Sequence, residues 1–339
     1  MKLFDSRTQE TEAAPAGGTG ALHEIAELTE ANLAEPDAAR ERRIVRLRHD
    51  AFAELERDKP GPIPEPDFGP LETVDGMPSV ALDELTAGTL RAGILEGGCL
   101  LLRGVVDRPG CEWLIDGIER AFASRERAGE SGPGPEPEWY APFVPGPGVK
   151  HVARQRKWVT SAGGLWTADS PRMTLRLIDA FASSGLLGTI EGYLGQRPAV
   201  SVNKWTLRKV EPGGGSDWHQ DGAFLGTDIR AMNIWMALSD CGRDAPGMDL
   251  VTQRIDGIVE TGTEGASFDW SVSPQKIDEL LGGEPPLRPA FQAGDVLLFD
   301  ELFLHQTGTS PEMTQNRYAV ETWCFAPGAY PPKQMPLVL

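Results

Sequence analysis

Apolar residues recur every three or four positions in the first part of this chain and every second position in most of the rest. The first spacing predicts helices, because one face of a 3.6-residue spiral is then apolar. Two helical stretches follow residue 20, the second opened by Pro36-Asp37 and carrying Ile44, Leu47, Ala51 and Leu55 at helical spacing. Pro60 to Pro70 is a connector too rich in proline for either element. A helix over Leu82–Glu96 leads through Gly97-Gly98 into a strand over Cys99–Val106, and residues 112–127 form a further helix with Trp113, Ile115, Ile118 and Phe122 as its apolar positions. This helical layer is expected to pack outside a β core. Residues 129–148 hold too much Gly and Pro for regular structure; a loop of that length is either a lid or a plain surface excursion.

The second spacing predicts strands. Asn203–Val210 places Lys204, Thr206 and Arg208 on one face before the turn Glu211-Pro212-Gly213-Gly214-Gly215. Charge at a strand edge is the common use of such a face, substrate contact the rarer one. Ala231–Leu238 is a further strand. Ala293-Gly294-Asp295 is a turn before the buried run Val296–Phe299, and Leu302-Phe303-Leu304 follows. In Asn316–Phe325, alternation puts Arg317, Ala319, Glu321, Trp323 and Phe325 on one face.

Chemistry enters at Trp218-His219-Gln220-Asp221-Gly222 and at Phe303-Leu304-His305-Gln306-Thr307-Gly308. His219 and Asp221 share a face if the strand is extended, with Gln220 turned away. A distant histidine, His305, completes two imidazoles and one carboxylate once its strand folds back beside the first, as it does in a closed or double-sheet β barrel. That donor set holds non-haem Fe(II) on one face and leaves positions open, but it also builds hydrolytic zinc sites. Arg317 favours iron: a guanidinium on a mostly apolar face needs a partner, and a carboxylate-bearing cosubstrate fits its fork. A structural ion pair between Arg317 and Glu321 is the alternative. His23, His49 and His151 read as ordinary core or surface residues, and Trp235 and Trp323, taken singly, as core.

The HQD triplet, the later Gly-Asp turn, the distal histidine and Arg317 together resemble the phytanoyl-CoA dioxygenase family of Fe(II)/2-oxoglutarate oxygenases, over roughly residues 197–327 and weakly upstream to Gly97–Val106. The resemblance implies a mainly β fold with flanking helices, its core a double-stranded β-helix (jelly roll, cupin-like). It implies His219, Asp221 and His305 as iron ligands, Arg317 and Thr307 as the grip on the far carboxylate of 2-oxoglutarate, and Asn233 and Trp235 as pocket-lining residues. Related halogenases lack the carboxylate that Asp221 supplies, so hydroxylation of an unactivated C–H bond is the expected outcome. The segment Asp244–Arg254 departs from the Gly-Ser-His run of many relatives. The chain then divides into a disordered N-terminus (1–20), a helical extension with its connector (21–70) and an oxygenase domain (71–339). A metal-dependent hydrolase and a non-catalytic metal- or 2-oxoglutarate-binding protein are the other classes in view.

A net charge of -18 over 339 residues leaves no basic excess to neutralise phosphates, so a small or medium organic substrate and dioxygen are expected as partners in place of nucleic acid. The five arginines Arg40, Arg42, Arg43, Arg46 and Arg48 on the second helix read as a solvated or dimer-facing surface, and a homodimer through the N-terminal helices is possible on that reading. Cys99, Cys111, Cys241 and Cys324 form no CxxC pair, the usage of a reducing compartment. With no signal-peptide core at the N-terminus and no apolar run of membrane-spanning length, a cytoplasmic location away from the membrane is expected.

Overall fold

The computed structural model describes residues 20–128, 132–146, 156–226 and 228–339. The predicted disordered stretch up to Thr19 and His151 lie outside them. Eleven strands are found among the described residues: β1 (Glu72–Val74), β2 (Met77–Ser79), β3 (Cys99–Leu102), β4 (Gly164–Trp166), β5 (Ala199–Val210), β6 (Ala231–Ala237), β7 (Gly247–Leu250), β8 (Val296–Phe299), β9 (His305–Gly308), β10 (Arg317–Phe325) and β11 (Pro336–Val338). Nine of them form a main sheet in the order β1-β2-β3-β8-β6-β10-β5-β11, with β4 also paired to β5. Its pairings are antiparallel except β2 with β3. The small sheet β7-β9 faces it, widened by single bridges from His219 to His305 and from Leu250 to Leu287. These are the two unequal leaves of an unclosed double-stranded β-helix.

Alternation sorts each strand of the main sheet between two cores. Leu100, Ile234, Leu298 and Val320 face the helices, while Leu101, Trp235, Leu297, Ala319 and Trp323 face the small sheet. The helices are α1 (Gly20–Ala34), α2 (Ala38–Asp50), α3 (Phe52–Leu55), α4 (Ala87–Gly97), α5 (Arg108–Ala128), α6 (Lys157–Ser161), α7 (Pro171–Ser183), α8 (Leu186–Leu194), α9 (Gly222–Leu225) and α10 (Pro274–Leu281). Of these, α4, α5, α7 and α8 contribute to the outer core, as the sequence predicts. None is long and apolar enough to cross a membrane among the described residues.

Three local expectations change. The helix predicted from Leu82 begins at Ala87, because Thr86 and Thr89 close a reciprocal capping box there; Leu82–Glu84 is a single 3-10 turn. The strand predicted to Val106 ends at Leu102, and Val105 turns to donate to the carbonyl of Gly294 at 2.8 Å. That contact explains the Gly-Asp turn: Gly294 has φ +95°, and a Cβ there would meet the Val106 oxygen at 1.9 Å. One arginine of α2, Arg48, is also less solvated than expected, whereas Arg42 and Arg43 are exposed. Arg48 is 5% exposed and donates to Val338 O at 3.1 Å, Arg43 pairs with Glu24 and Arg46 with Asp50. Ile25, Ile44, Leu47 and Phe52 form a core with Ala199 and Val338, so α1 to α3 brace the end of the main sheet. His49 is the core histidine expected, its Nδ1 2.7 Å from Pro336 O, while His23 is exposed beside Glu27.

Within the Gly/Pro stretch, residues 132–146 are irregular, yet Trp139, Tyr140 and Phe143 are buried against the helical layer. Asp169 accepts from Phe143 N at 2.7 Å and pairs with Arg156, fixing the segment there. Its described part is anchored away from the cavity treated next; residues 129–131 and 147–148 lie outside the described residues.

Candidate metal and cosubstrate site

His305 opens β9, and its backbone exchanges two hydrogen bonds with His219 at 3.0 and 3.1 Å. The two imidazoles are thereby fixed side by side, ring centroids 4.5 Å apart. Asp221 differs from the sequence expectation. It does not continue an extended strand but sits in a helical conformation (φ -62°, ψ -26°) as the N-cap of α9. The turn still delivers its carboxylate to the same point: Oδ2 lies 3.8 Å from His305 Nε2, and one donor atom from each of the three residues lies within 4.8 Å of the others. Among the described residues this is the single His/Cys/Asp/Glu group so placed.

Gln220 turns away as predicted and locks the turn. Fully buried, it donates to Gly257 O and Leu302 O at 3.0 and 2.6 Å and accepts from Val259 N at 2.7 Å. The histidines are oriented by carbonyls: His219 Nδ1 is 2.7 Å from Asp217 O, and His305 Nδ1 is 3.1 Å from Phe303 O. A carbonyl can only accept, so in each ring Nδ1 carries the proton and Nε2 keeps its lone pair. Burial, reinforced by neighbouring His219, pushes His305 down to about 4, so its imidazole is neutral and able to ligate at pH 7.

The segment Asp244–Arg254 supplies β7, the partner of β9. Asp249 accepts from Arg288 at 2.5 and 2.8 Å and from Gln306 at 2.9 Å, which ties the strand after His305 in register. Gly247 O accepts from Arg317 Nη1 at 2.8 Å.

Arg317 is 1% exposed, its Nε has no hydrogen-bond partner, and burial lowers its pKa from the ordinary arginine value. The alternative ion pair with Glu321 is not formed among the described residues. Glu321 instead lies 3.5 Å from Arg208 and accepts from Thr206 at 3.1 Å, which, against the cost of burial, holds it below the usual glutamate value. Thr307 donates its N–H to Ser216 Oγ at 2.9 Å, and the two hydroxyls are 3.1 Å apart. Ser216 has no sequence signal beyond following the triple glycine. Asn233 and Trp235, on β6, line the same cavity of about 360 Å³, and Asn233 Oδ1 is a second buried atom without a partner. Trp323 also lines it, as do Lys204, Thr206 and Arg208, for β5 is an interior strand and not an edge. Trp158, Phe224 and Trp270 complete its wall and were not legible from spacing.

The phytanoyl-CoA dioxygenase family profile matches residues 94–313, well over half of the chain. The chain belongs to that family. Family membership brings the cofactors Fe(II) and 2-oxoglutarate, and this chain is a non-haem Fe(II)/2-oxoglutarate oxygenase by family. Its fold is similar to that of EctD from S. alaskensis, solved with 2-oxoglutarate and 5-hydroxyectoine, at 14% identity over 79% of this chain and 86% of the other, with a TM-score of 0.50. AviO1 from Streptomyces viridochromogenes Tue57 (16%, 70% and 94%, TM-score 0.44) and the 2-oxoglutarate-dependent epimerase SnoN from nogalamycin biosynthesis (16%, 70% and 79%, TM-score 0.45) are more distant likenesses. No curated protein sequence matches the chain.

Proposed function

We propose that this family member hydroxylates an unactivated C–H bond of a small or medium organic substrate, with release of succinate and CO2. The single observation that carries the reading is the shared cavity: three convergent donors at one point, and at another a buried guanidinium whose Nε lacks a partner. The donors fit a metal. Two imidazole nitrogens and a carboxylate oxygen within 4.8 Å of one another need draw in only by a few tenths of an ångström to ligate one ion at about 2 Å. The far end fits a dicarboxylate, because the Nε of Arg317 is a buried donor without a partner and the Thr307 hydroxyl, paired with that of Ser216, stands in the same cavity.

In this reading His219, Asp221 and His305 hold Fe(II), while Arg317 and Thr307 grip the distal carboxylate of 2-oxoglutarate. Iron and cosubstrate together supply the oxidation of a C–H bond by dioxygen. The chain's part is positional: Gln220 and the paired His219–His305 backbone keep the donors on one face, and Glu321 neutralises Arg208 so that it does not compete with Arg317 for the cosubstrate. A hydrolase has no use for a second acid beside its metal, and leaves Arg317 as a buried charge without purpose.

The N-terminal segment 21–70 serves as a brace on the β-helix in this proposal. Its apolar side is used within the chain, so packing lends no support to a homodimer through these helices. Four buried free thiols suit a reducing, cytoplasmic setting.

The test is an anaerobic titration with Fe(II) and then 2-oxoglutarate, watching for the visible charge-transfer band of a chelated 2-oxo acid. The band is expected in the native protein and absent in His219→Ala. Iron binding without a band defeats the cosubstrate assignment, and product analysis of a turned-over substrate without an added hydroxyl defeats hydroxylation.

A further inference from the structure

Lys204 is the one cation of the cavity that the proposed oxygenase reading leaves unused. Arg317 is assigned to the cosubstrate, and Arg208 is matched by Glu321. The Lys204 ammonium has neither a hydrogen bond nor an ion pair among the described residues. It sits 4.0 Å from the ring centre of Phe224 and 5.2 Å from that of Trp158. The carboxylates of Asp221 and Glu321 act on it only at longer range, and two ring faces offset only part of the cost of drawing an ammonium partly out of water.

The backbone has been bent to put it there. Between β10 and β5 the register shifts: Thr322 pairs with Trp205, but Cys324, two residues on, pairs with Val200, five residues back. β5 thus carries three extra residues, an odd number, which reverses the facing of its side chains. Val200 and Val202 face the helices before the shift, Trp205 and Leu207 after it. Lys204 lies at the boundary and is turned, with Thr206 and Arg208, into the cavity. An irregularity of this kind beside a reaction site is a device for re-aiming a side chain.

The surroundings say what kind of molecule meets it. Phe224 packs on the Lys204 ammonium and also stacks on His219, with centroids 6.1 Å apart. Trp270 stands edge-on to both, and Phe268 stacks parallel on Trp270 at 4.9 Å. Trp158, Phe224 and Phe268 are 41%, 37% and 54% exposed, so the cavity opens through an aromatic rim. Large exposed apolar side chains gathered at a cavity mouth mark a binding surface for an apolar partner.

We propose that Lys204 recognises a carboxylate on the organic substrate, and that the substrate is an apolar, ring-bearing acid whose body lies against Phe224 and Trp270 across His219. This rests on the oxygenase reading. A single ammonium matches a monoanion; a phosphate dianion calls for more positive charge than one lysine supplies in a chain of net charge -18.

The experiment is calorimetric titration of the anaerobic Fe(II)- and 2-oxoglutarate-loaded protein with 4-phenylbutyrate and with its uncharged counterpart 4-phenylbutyramide. Saturating 2-oxoglutarate keeps the acid from Arg317. The native protein is expected to bind the carboxylate at least about tenfold more tightly than the amide, the worth of one charge-assisted hydrogen bond. Lys204→Met equalises the two, Lys204→Arg keeps the preference, and both retain the 2-oxoglutarate band. Equal affinity, or no binding of either by the native protein, overturns the inference. So does a preference that survives in Lys204→Met, or loss of the band in that variant, which assigns the lysine to the cosubstrate. A native protein without the band defeats the oxygenase reading alone, and the same pair of titrations on metal-free protein still decides the lysine.

Discussion

Replacing Arg317 by Met separates a cosubstrate anchor from a structural ion pair, because the first role predicts a loss only with 2-oxoglutarate present and the second a loss without it. The guanidinium is buried, donates one hydrogen bond to Gly247 O and has no carboxylate within ion-pair distance among the described residues. Without cosubstrate it is a buried charge held at a cost, which its lowered pKa expresses. Methionine fills much of the volume and removes that cost. It leaves Gly247 O unpaired, a loss of about 1–3 kcal/mol. These terms oppose each other, so the variant without 2-oxoglutarate is expected within about 1 kcal/mol of the native protein. The cosubstrate tells the other half. Hydrogen bonds between charged partners contribute about 1.5–3 kcal/mol each, so removing a two-pronged grip lowers 2-oxoglutarate affinity by at least about a hundredfold. At a ligand concentration of about 100 times the native Kd, ligand binding stabilises the native protein by about 2.7 kcal/mol, nearly all of which the variant forfeits. Thermal denaturation of the Fe(II)-loaded protein under nitrogen, with and without 2-oxoglutarate, reads both quantities. A variant that loses several kcal/mol on its own and keeps the ligand-induced rise refutes the anchor.

His219→Ala, Asp221→Ala and His305→Ala are each expected to lower Fe(II) affinity by at least about a hundredfold, the loss of one of three donors, while circular dichroism stays native; unaltered iron binding in any of them removes that residue from the triad. Gln220→Ala strands the N–H of Val259 and the carbonyls of Gly257 and Leu302, and should cost about 2–4 kcal/mol in urea denaturation; a cost under about 0.5 kcal/mol contradicts the locking role. Glu301 is pushed up to about 7 by burial and by neighbouring Asp300. The folded state therefore holds a proton that the unfolded state releases near pH 4.5, so this group's contribution to stability is complete below that pH and falls as pH rises to about 7. Glu301→Gln should raise stability at pH 8 by roughly 1–3 kcal/mol relative to its effect at pH 4, and a pH-independent difference counts against the assignment.

The strands that carry the site were legible because their two faces meet different surroundings. Alternation along 316–325 separates Ala319 and Trp323, against the small sheet, from Val320 and Cys324, against the helices, and both sets are where the period places them. Local alternation says nothing of irregular backbone. The HQD triplet reads as an extended strand, yet Asp221 caps α9, and it converges with the histidines only because buried Gln220 ties the turn to Gly257 and Leu302. Those contacts are distant in sequence, and no local rule contains them. Trp158, Phe224 and Trp270 escaped for the same reason: they lie on a short helix, a four-residue helix and a loop, where no period distinguishes a wall from a surface.

The positions of the two unmatched cations also bear on how the cavity is divided. On β5, Lys204 and Arg208 are four residues apart, which in an extended strand is about 13 Å. Arg208 lies at the end of the strand that pairs with Arg317, since Arg317 is opposite Val210, whereas Lys204 lies at the irregular end beside Phe224. Glu321, opposite Thr206, stands between them and is matched to Arg208. An unmatched positive group thus stands at each end of the cavity, Lys204 on β5 and Arg317 on β10, with the Arg208–Glu321 pair between them. That spacing lets two acids occupy the site together without competing for one cation. If Arg317 takes the cosubstrate, an acid on Lys204 is held apart from it, with the His219 side of the metal triad between the aromatic wall and the cosubstrate.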